Sequence, residues 1–311
     1  MNRALLLAFK ILLFLLLCWF IVDQLFLKND FKTQFAFFEQ QLQGSKFYLC
    51  ILAVVLMPVN WALETIKWKR LLRTEVPYGR LLKSIIAGIT IGFVTPGRSG
   101  EFAGRVMFLN DNNGAKVFYL SSIGGLAQTA ASLVIGVPFV MVWCNNIFVT
   151  GIVTGCAIIY LLAYFRFDLL NRWLFNRTLL QKFGLVMQQG DLPDINTQLS
   201  VLILSAIRFS VYAFQYVLLL MFFGVSNNAL ALGTHSIVYL LAQTFSPLIP
   251  LLDFSYRGAS ALYVFKNFSD NNIAILSAVM LVWLINLVIP AVIGYLFILN
   301  RKTILIPPFS A

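Results

Sequence analysis

Three charged side chains stand close together at the end of an apolar stretch, in a chain whose apolar runs carry few charges. They are Arg98, Glu101 and Arg105. A guanidinium stays charged when it is desolvated, and it grips a phosphate or a carboxylate through two parallel hydrogen bonds. The two arginines are therefore candidate clamps for an anion. Glu101 is placed to balance their charge or to bind a cationic group.

The same stretch contains residues that interrupt a helix, and a second interrupted stretch follows later in the chain. A break of this kind frees backbone N–H groups, which favour an anion when they lie at a helix N-terminus. Broken backbone inside a membrane persists where it is buried in protein or lines a wet cavity. The residues predicted to break the backbone are Pro96, Gly97, Gly100, Pro247, Pro250 and Gly258.

Polar side chains near the two breaks, or inside neighbouring apolar runs, complete the predicted site. Asp253 is a second acid and Arg257 a third candidate clamp, and Arg208 is expected to face the same interior. The candidate substrate-binding residues are Thr95, Arg98, Ser99, Glu101, Arg105, Gln128, Arg208, Gln243, Asp253 and Arg257. The alternative is that these charges form structural ion pairs between the two broken stretches. Glu64, which precedes a basic run, is predicted to be a solvated residue at the membrane edge.

Composition places this site in a membrane. The chain has 311 residues, of which 60% are hydrophobic and 11% charged, with a mean hydropathy of +0.84. These values are typical of a polytopic membrane protein. The net charge of +11 fits loops that face anionic headgroups. A soluble basic domain that would bind nucleic acid is missing from the pattern.

Catalytic and metal-binding patterns are also missing from the sequence. The single histidine, His235, and the four scattered cysteines form no metal-ligand spacing. We find no nucleophile–base pairing and no phosphate-binding loop. The sequence therefore predicts no metal, no cofactor and no enzymatic activity.

Hydropathy predicts one all-α integral membrane domain over residues 1–311, with about six transmembrane helices and two re-entrant helical hairpins. Apolar runs of about 18 residues or more are candidate spans. The six spans cover about 4–22, 47–66, 115–142, 146–165, 199–223 and 272–299. The interrupted segments cover about 83–107 and 231–268.

Loop charges predict the topology. Basic residues cluster in the connection before residue 83, in the loop after 165 and in the C-terminal tail, so both chain ends are predicted to be cytoplasmic in a cell membrane. The two hairpins then enter from opposite sides, in halves of about 1–142 and 146–311. Such an inverted repeat predicts a transporter with a site near the membrane midplane. Residues 31–42 and 166–187 are predicted to lie along the membrane surface.

The stretch from Thr95 to Arg105 resembles the first motif of the lysylphosphatidylglycerol synthetase transmembrane (flippase-like) family. That family includes the N-terminal membrane half of multiple peptide resistance factor. Trp68, followed by Leu71 and Leu72, resembles the segment that precedes the motif. The resemblance covers nearly the whole chain.

The second motif departs from the family pattern. Pro247 and Pro250 are kept, but leucines replace glycines and Gly258 stands where the family has a glutamate; Asp253 is a candidate replacement for that acid. The resemblance implies movement of an anionic or aminoacylated phospholipid between leaflets. The sequence shows no soluble aminoacyltransferase domain, so the chain is expected to be a stand-alone flippase-like protein or a partner of a separately encoded lipid-modifying enzyme. The alternatives are an enzyme, or enzyme subunit, for a lipid-linked substrate and a scaffold that transports nothing.

Overall fold

The helices of the chain follow its apolar runs. The computed structural model describes residues 31–95, 98, 100–109, 114–167, 192–244 and 250–300, together with Ile11, Leu12 and Leu15. Every regular element in these residues is helical. The helices are α1 (Phe31–Leu42), α2 (Phe47–Leu72), α3 (Tyr78–Phe93), α4 (Glu101–Phe108), α5 (Gly114–Cys144), α6 (Ile147–Phe165), α7 (Ile195–Phe222), α8 (Ala229–Thr244), α9 (Pro250–Phe265), α10 (Asn272–Trp283) and α11 (Ile289–Leu299).

Five of the described helices are long and apolar enough to cross a membrane: α2, α5, α6, α7 and the continuous helix formed by α10 and α11. The protein is therefore a multi-pass membrane protein. These five helices confirm five of the predicted spans, although α2 continues six residues beyond the predicted end at residue 66. The predicted first span, 4–22, and nearly all of 166–187 lie outside the described residues.

Each interrupted segment forms two short helices. α3 and α8 have 16 residues each, a length of about 24 Å, which is less than the hydrocarbon thickness of about 30 Å. α3 packs on α4, and α8 packs on α9. The ring of His235 in α8 lies 4.6 Å from that of Phe268, which follows α9.

Two polar contacts fix the direction of the central helices α2 and α7, which pack against each other. Arg73, after α2, forms an ion pair with Asp194, before α7. Lys46, before α2, donates a hydrogen bond of 2.6 Å to Asn227, after α7. The two helices are therefore antiparallel, as the predicted topology requires.

Helix α1 confirms the helical periodicity predicted for residues 31–42. Its Phe37 and Phe38 pack on Phe222 and Phe223 at the end of α7, with ring centroids 5.8–6.2 Å apart. Phe35, on another face of α1, is exposed. The helix is held to the bundle by its aromatic side chains.

Candidate functional site

One face of α2 carries polar residues into the bundle interior. Asn60, Glu64 and Lys67 are spaced four and three residues apart, so they share a helix face. All three are buried, with 2–5% of each residue exposed. The prediction that Glu64 is solvated is wrong, because α2 extends to Leu72 and keeps Glu64 and Lys67 within a packed helix.

Glu64 pairs with cations from three helices. Its carboxylate lies 2.7 Å from Lys67 Nζ, on α2 itself. It accepts hydrogen bonds from Arg105 Nη2 of α4 at 3.0 Å and from Arg208 Nη1 of α7 at 2.6 Å. Arg208 Nε also donates to Asn60 Oδ1 at 2.7 Å. This one carboxylate therefore joins α2, α4 and α7.

A second carboxylate extends this group of charges toward solvent. Glu101 Oε1 lies 2.5 Å from Arg98 Nε, and Glu101 Oε2 lies 3.7 Å from Arg105 Nη2. The exposed fraction of the side chain rises from 7% at Glu64 to 25% at Glu101 and 55% at Arg98. The group therefore runs from a buried end at Glu64 to an open end at Arg98. We call Asn60, Glu64, Lys67, Arg98, Glu101, Arg105 and Arg208 the charge cluster.

Arg98 occupies an unusual position in the backbone as well. Its φ of 57° lies in the left-handed region, which is uncommon for a residue with a side chain and occurs often at functional sites. Arg98 also lies within electrostatic range of Arg257 of α9, and 55% of its side chain is exposed.

Close contact between α3 and α4 positions the acidic and basic side chains of α4. A Cβ atom on Gly104 would lie 2.5 Å from the backbone of Ala87 and Gly88, and one on Gly92 would lie 2.6 Å from Glu101 Cγ. Glycine at these positions lets the two helices approach and leaves space for the Glu101 side chain. The Gly100 N–H donates to Thr95 Oγ1 at 2.8 Å, which closes the turn between the helices.

The charge cluster carries more positive than negative charge. Four cations, Lys67, Arg98, Arg105 and Arg208, face the two carboxylates of Glu64 and Glu101, which leaves an excess of two positive charges. Uncompensated charge in a membrane interior is costly, and a bound anion removes that cost. The buried Nε of Arg105 also finds no hydrogen-bond acceptor within the described part of the chain. The cluster is therefore suited to receive an anionic group.

The second pair of short helices is polar but differently built. Gln243 of α8 donates from Nε2 to Ser260 Oγ of α9 at 2.7 Å, and its buried Oε1 has no partner among the described residues. The Tyr239 hydroxyl donates to the Arg257 carbonyl at 3.3 Å. A small pocket lies between α9 and α10, and its lining residues are Arg257, Gly258, Leu276, Val279, Met280 and Trp283.

Several of the predicted site residues come together in the structure. Arg98, Glu101, Arg105 and Arg208 belong to the charge cluster, and Arg257 is near its open end. Gln128 lies at the α5–α7 contact, where Nε2 donates to the Ser205 carbonyl at 3.3 Å. The residues Pro96, Gly97, Ser99, Pro247 and the side chain of Asp253 lie outside the described residues, while Pro250 begins α9.

The sequence interpretation missed the residues at the centre of the cluster. Glu64 and Lys67 were assigned to the membrane edge and to a cytoplasmic loop, since they stand beside a basic run. The available signal was the spacing of Asn60, Glu64 and Lys67 along one helix face, which directs three polar side chains the same way. Their partners Arg105 and Arg208 are 41 and 144 residues away from Glu64 along the chain, so no local pattern identifies them.

Comparison with known proteins gives one family. Residues 7–294 match the family model described as "Lysylphosphatidylglycerol synthase TM region". The match covers both interrupted segments and every helix of the charge cluster. No curated protein matches the chain.

Proposed function

The chain belongs to the lysylphosphatidylglycerol synthase TM-region family, and from that premise we propose that it is a non-catalytic, flippase-like protein of the cell membrane. It moves a phosphate-bearing lipid, anionic or aminoacylated, from one leaflet to the other. The observation that carries this proposal is the cationic excess of the charge cluster, with one end buried and the other open. The lipid headgroup enters at Arg98, while the acyl chains stay in the bilayer.

The chemistry of the cluster suits a phosphate diester. Arginine donates two parallel hydrogen bonds to phosphate oxygens, and such charge-assisted bonds are roughly twice as strong as neutral ones. When the headgroup is absent, the guanidinium groups of the cluster pair with Glu64 and Glu101. An arriving phosphate therefore replaces a carboxylate as the partner of one arginine, and the displaced carboxylate stays beside another cation of the cluster.

We also propose that the two halves form an inverted repeat, which would support transport by alternating access. α3 packs against α11 and α8 packs against α5, as expected if α3 corresponds to α8 and α5 to the α10–α11 helix. Thr90 and Leu241 are both the thirteenth residue of their helices, and Gly294 and Gly136 are both the twenty-third. A Cβ atom on Gly294 would clash with Thr90 Oγ1, and one on Gly136 would lie 2.8 Å from Leu241 Cδ2.

Polar residues in the interior follow the same correspondence. Asn60 and Arg208, which bond to each other, are each the fourteenth residue of α2 and α7. Gln128 and Asn286 are each the fifteenth residue of α5 and of the α10–α11 helix, and both carry a buried amide oxygen without a partner in the described chain. Asn286 also lies in a π-helical turn, Leu284–Val288, a feature that is frequent at functional sites. Sites between repeats of opposite orientation are typical of secondary transporters.

Cysteine labelling tests the proposed topology. In a variant whose native cysteines are replaced by serine, Gly79→Cys and Lys116→Cys flank the first hairpin, and Asn227→Cys and Asp270→Cys flank the second. We expect an impermeant maleimide to label the first pair from the cytoplasmic side only and the second pair from the opposite side only. Labelling of Gly79→Cys and Lys116→Cys from opposite sides would show that the first segment crosses the membrane and would overturn its re-entrant assignment.

Transport in proteoliposomes tests the function. We expect wild-type protein to move fluorescently labelled phosphatidylglycerol across the bilayer faster than protein-free liposomes do. Arg98→Gln removes a charge-assisted donor at the open end of the cluster, worth about 1.5–3 kcal/mol, so transport is expected to fall roughly tenfold or more. Dithionite quenching of the outer-leaflet label measures the rate.

The matched control is Arg73→Gln, which also removes an arginine from an ion pair but at the exposed surface near Asp194. Surface ion pairs are worth about 0–1 kcal/mol, so this variant is expected to keep the wild-type rate. Equal rates for wild-type protein and empty liposomes contradict the proposal. A lower unfolding temperature for Arg98→Gln at an unchanged transport rate supports a structural scaffold instead.

A further inference from the structure

The two hairpins differ in charge at equivalent positions, and this difference bears on which lipid is carried. We infer that the site selects a lipid with a net negative headgroup and discriminates against a headgroup that carries an added amine. The inference rests on the proposed function and narrows its substrate class. It depends on four residues: Gly92 and Glu101 in the first hairpin, Gln243 and Gly258 in the second.

In the first hairpin, an acid on the second helix lies over a glycine on the first. Glu101 is the eighth residue from the end of α4, and its side chain occupies the space above Gly92, the fifteenth residue of α3. The carboxylate then meets Arg98 at 2.5 Å. The first hairpin therefore carries a negative charge between its two helices.

In the second hairpin, the side chain and the glycine have exchanged helices. Gly258 is the eighth residue from the end of α9, and Gln243 is the fifteenth residue of α8. The Gln243 side chain crosses to α9 and bonds to Ser260 Oγ at 2.7 Å. At these helix positions the second hairpin therefore carries a neutral amide, and Gly258 faces Leu276 of α10 rather than a side chain of α8.

The site is cationic. The charge cluster has an excess of two positive charges. A headgroup with a single phosphate supplies one negative charge. A headgroup that also carries an ammonium group places that positive charge near the cations of the charge cluster. Repulsion between like charges is costly at short range.

The side chains that line the pocket beside Gly258 carry no negative charge that would neutralise an ammonium group. Apart from Arg257 and the glycine, they are the uncharged Leu276, Val279, Met280 and Trp283. Gly258 itself leaves space, since a Cβ atom there would lie 3.4 Å from Leu276 Cδ2. Arg257 beside these apolar side chains suits a lipid at the point where its phosphate joins its hydrocarbon part.

Competition between two lipids tests the inference. Proteoliposomes carry labelled phosphatidylglycerol, and unlabelled lysyl-phosphatidylglycerol or unlabelled phosphatidylglycerol is added as competitor. For the wild-type protein we expect the anionic competitor to be at least roughly tenfold more effective, because one like-charge contact costs about 1 kcal/mol in water and more near a protein surface. An equally effective lysyl lipid would overturn the inference.

Gln243→Glu places an acid at this position without changing the size of the side chain, and it replaces the amide donor that now bonds to Ser260 Oγ. We expect this variant to lower the preference for phosphatidylglycerol over its lysyl form to about twofold. Gly258→Glu is expected to act in the same direction, while Gly258→Gln adds equal bulk without charge and keeps the wild-type preference. If Gln243→Glu transports normally and keeps the full preference, charge at this position does not set selectivity and the inference fails.

The experiment separates this inference from the proposed function. If no labelled lipid moves with any variant, the transport proposal fails; competition for lipid binding to the detergent-solubilised protein, followed by native mass spectrometry, then decides selectivity. Preferential retention of phosphatidylglycerol over its lysyl form supports the inference, and equal retention contradicts it.

Discussion

Glu64→Gln is expected to lower the free energy of unfolding by about 3–5 kcal/mol and to abolish transport. The substitution keeps the size of the side chain but removes the carboxylate that contacts Lys67, Arg105 and Arg208 together. Removing one partner from a buried ion network leaves the other charges without compensation, which is the costly outcome. The unfolding transition in detergent, followed by circular dichroism during titration with a denaturing surfactant, measures the loss.

A matched substitution distinguishes disruption of the charge cluster from the general effect of removing a negative charge. Glu39→Gln removes a carboxylate from an exposed position on α1 and is expected to change stability by less than about 0.5 kcal/mol. The double variant Glu64→Gln/Arg208→Gln is expected to be less unstable than the sum of its single variants, because it removes both members of a pair. Strict additivity would show that the two side chains do not interact.

Gly104→Ala is expected to destabilise the protein by about 1–3 kcal/mol and to lower transport, although it adds a single methyl group. That methyl would lie 2.5 Å from the backbone of Ala87 and Gly88, and backbone atoms within packed helices cannot move aside cheaply. Separation of α3 from α4 also displaces Glu101 and Arg105 from the charge cluster. Thermal unfolding and the transport assay measure the two effects.

Gly151→Ala on α6 provides the control for the glycine substitution. A Cβ atom at this position would meet nothing within 4 Å, and the residue is exposed. Alanine is favoured over glycine in a helix, so this variant is expected to be neutral or more stable by up to about 1 kcal/mol. Equal destabilisation by both substitutions would contradict the close packing of α3 on α4.

Long apolar runs predicted much of the fold, for a physical reason. A membrane span must be apolar along its whole length and must satisfy its own backbone hydrogen bonds, so hydropathy is a nearly sufficient signal. The α5, α6 and α7 helices accordingly begin and end within four residues of the predicted bounds. The glycines and prolines near residues 96 and 247 likewise indicated where each interrupted segment divides into two short helices.

The centre of the site could not be predicted in the same way. A basic run near the end of an apolar stretch is typical of a membrane edge, and Glu64 and Lys67 were interpreted accordingly. Their environment is decided by the side chains of Arg105 and Arg208, which come from helices far along the chain. The resemblance to the family already marks Gly258 as the position of a missing glutamate, but the contact of Gln243 with Ser260 requires the packing of α8 on α9 and follows from no local motif.

The central claim is that the charge cluster holds the headgroup of a phosphate-bearing lipid, and native mass spectrometry of the purified protein tests it most directly. We predict that wild-type protein retains phosphate-bearing lipid well above its share in the surrounding membrane. We predict that Arg98→Gln, which leaves Glu64 and its partners intact, loses this excess. Lipids retained in their membrane proportions by wild-type protein, or an equal excess in Arg98→Gln, would contradict the account.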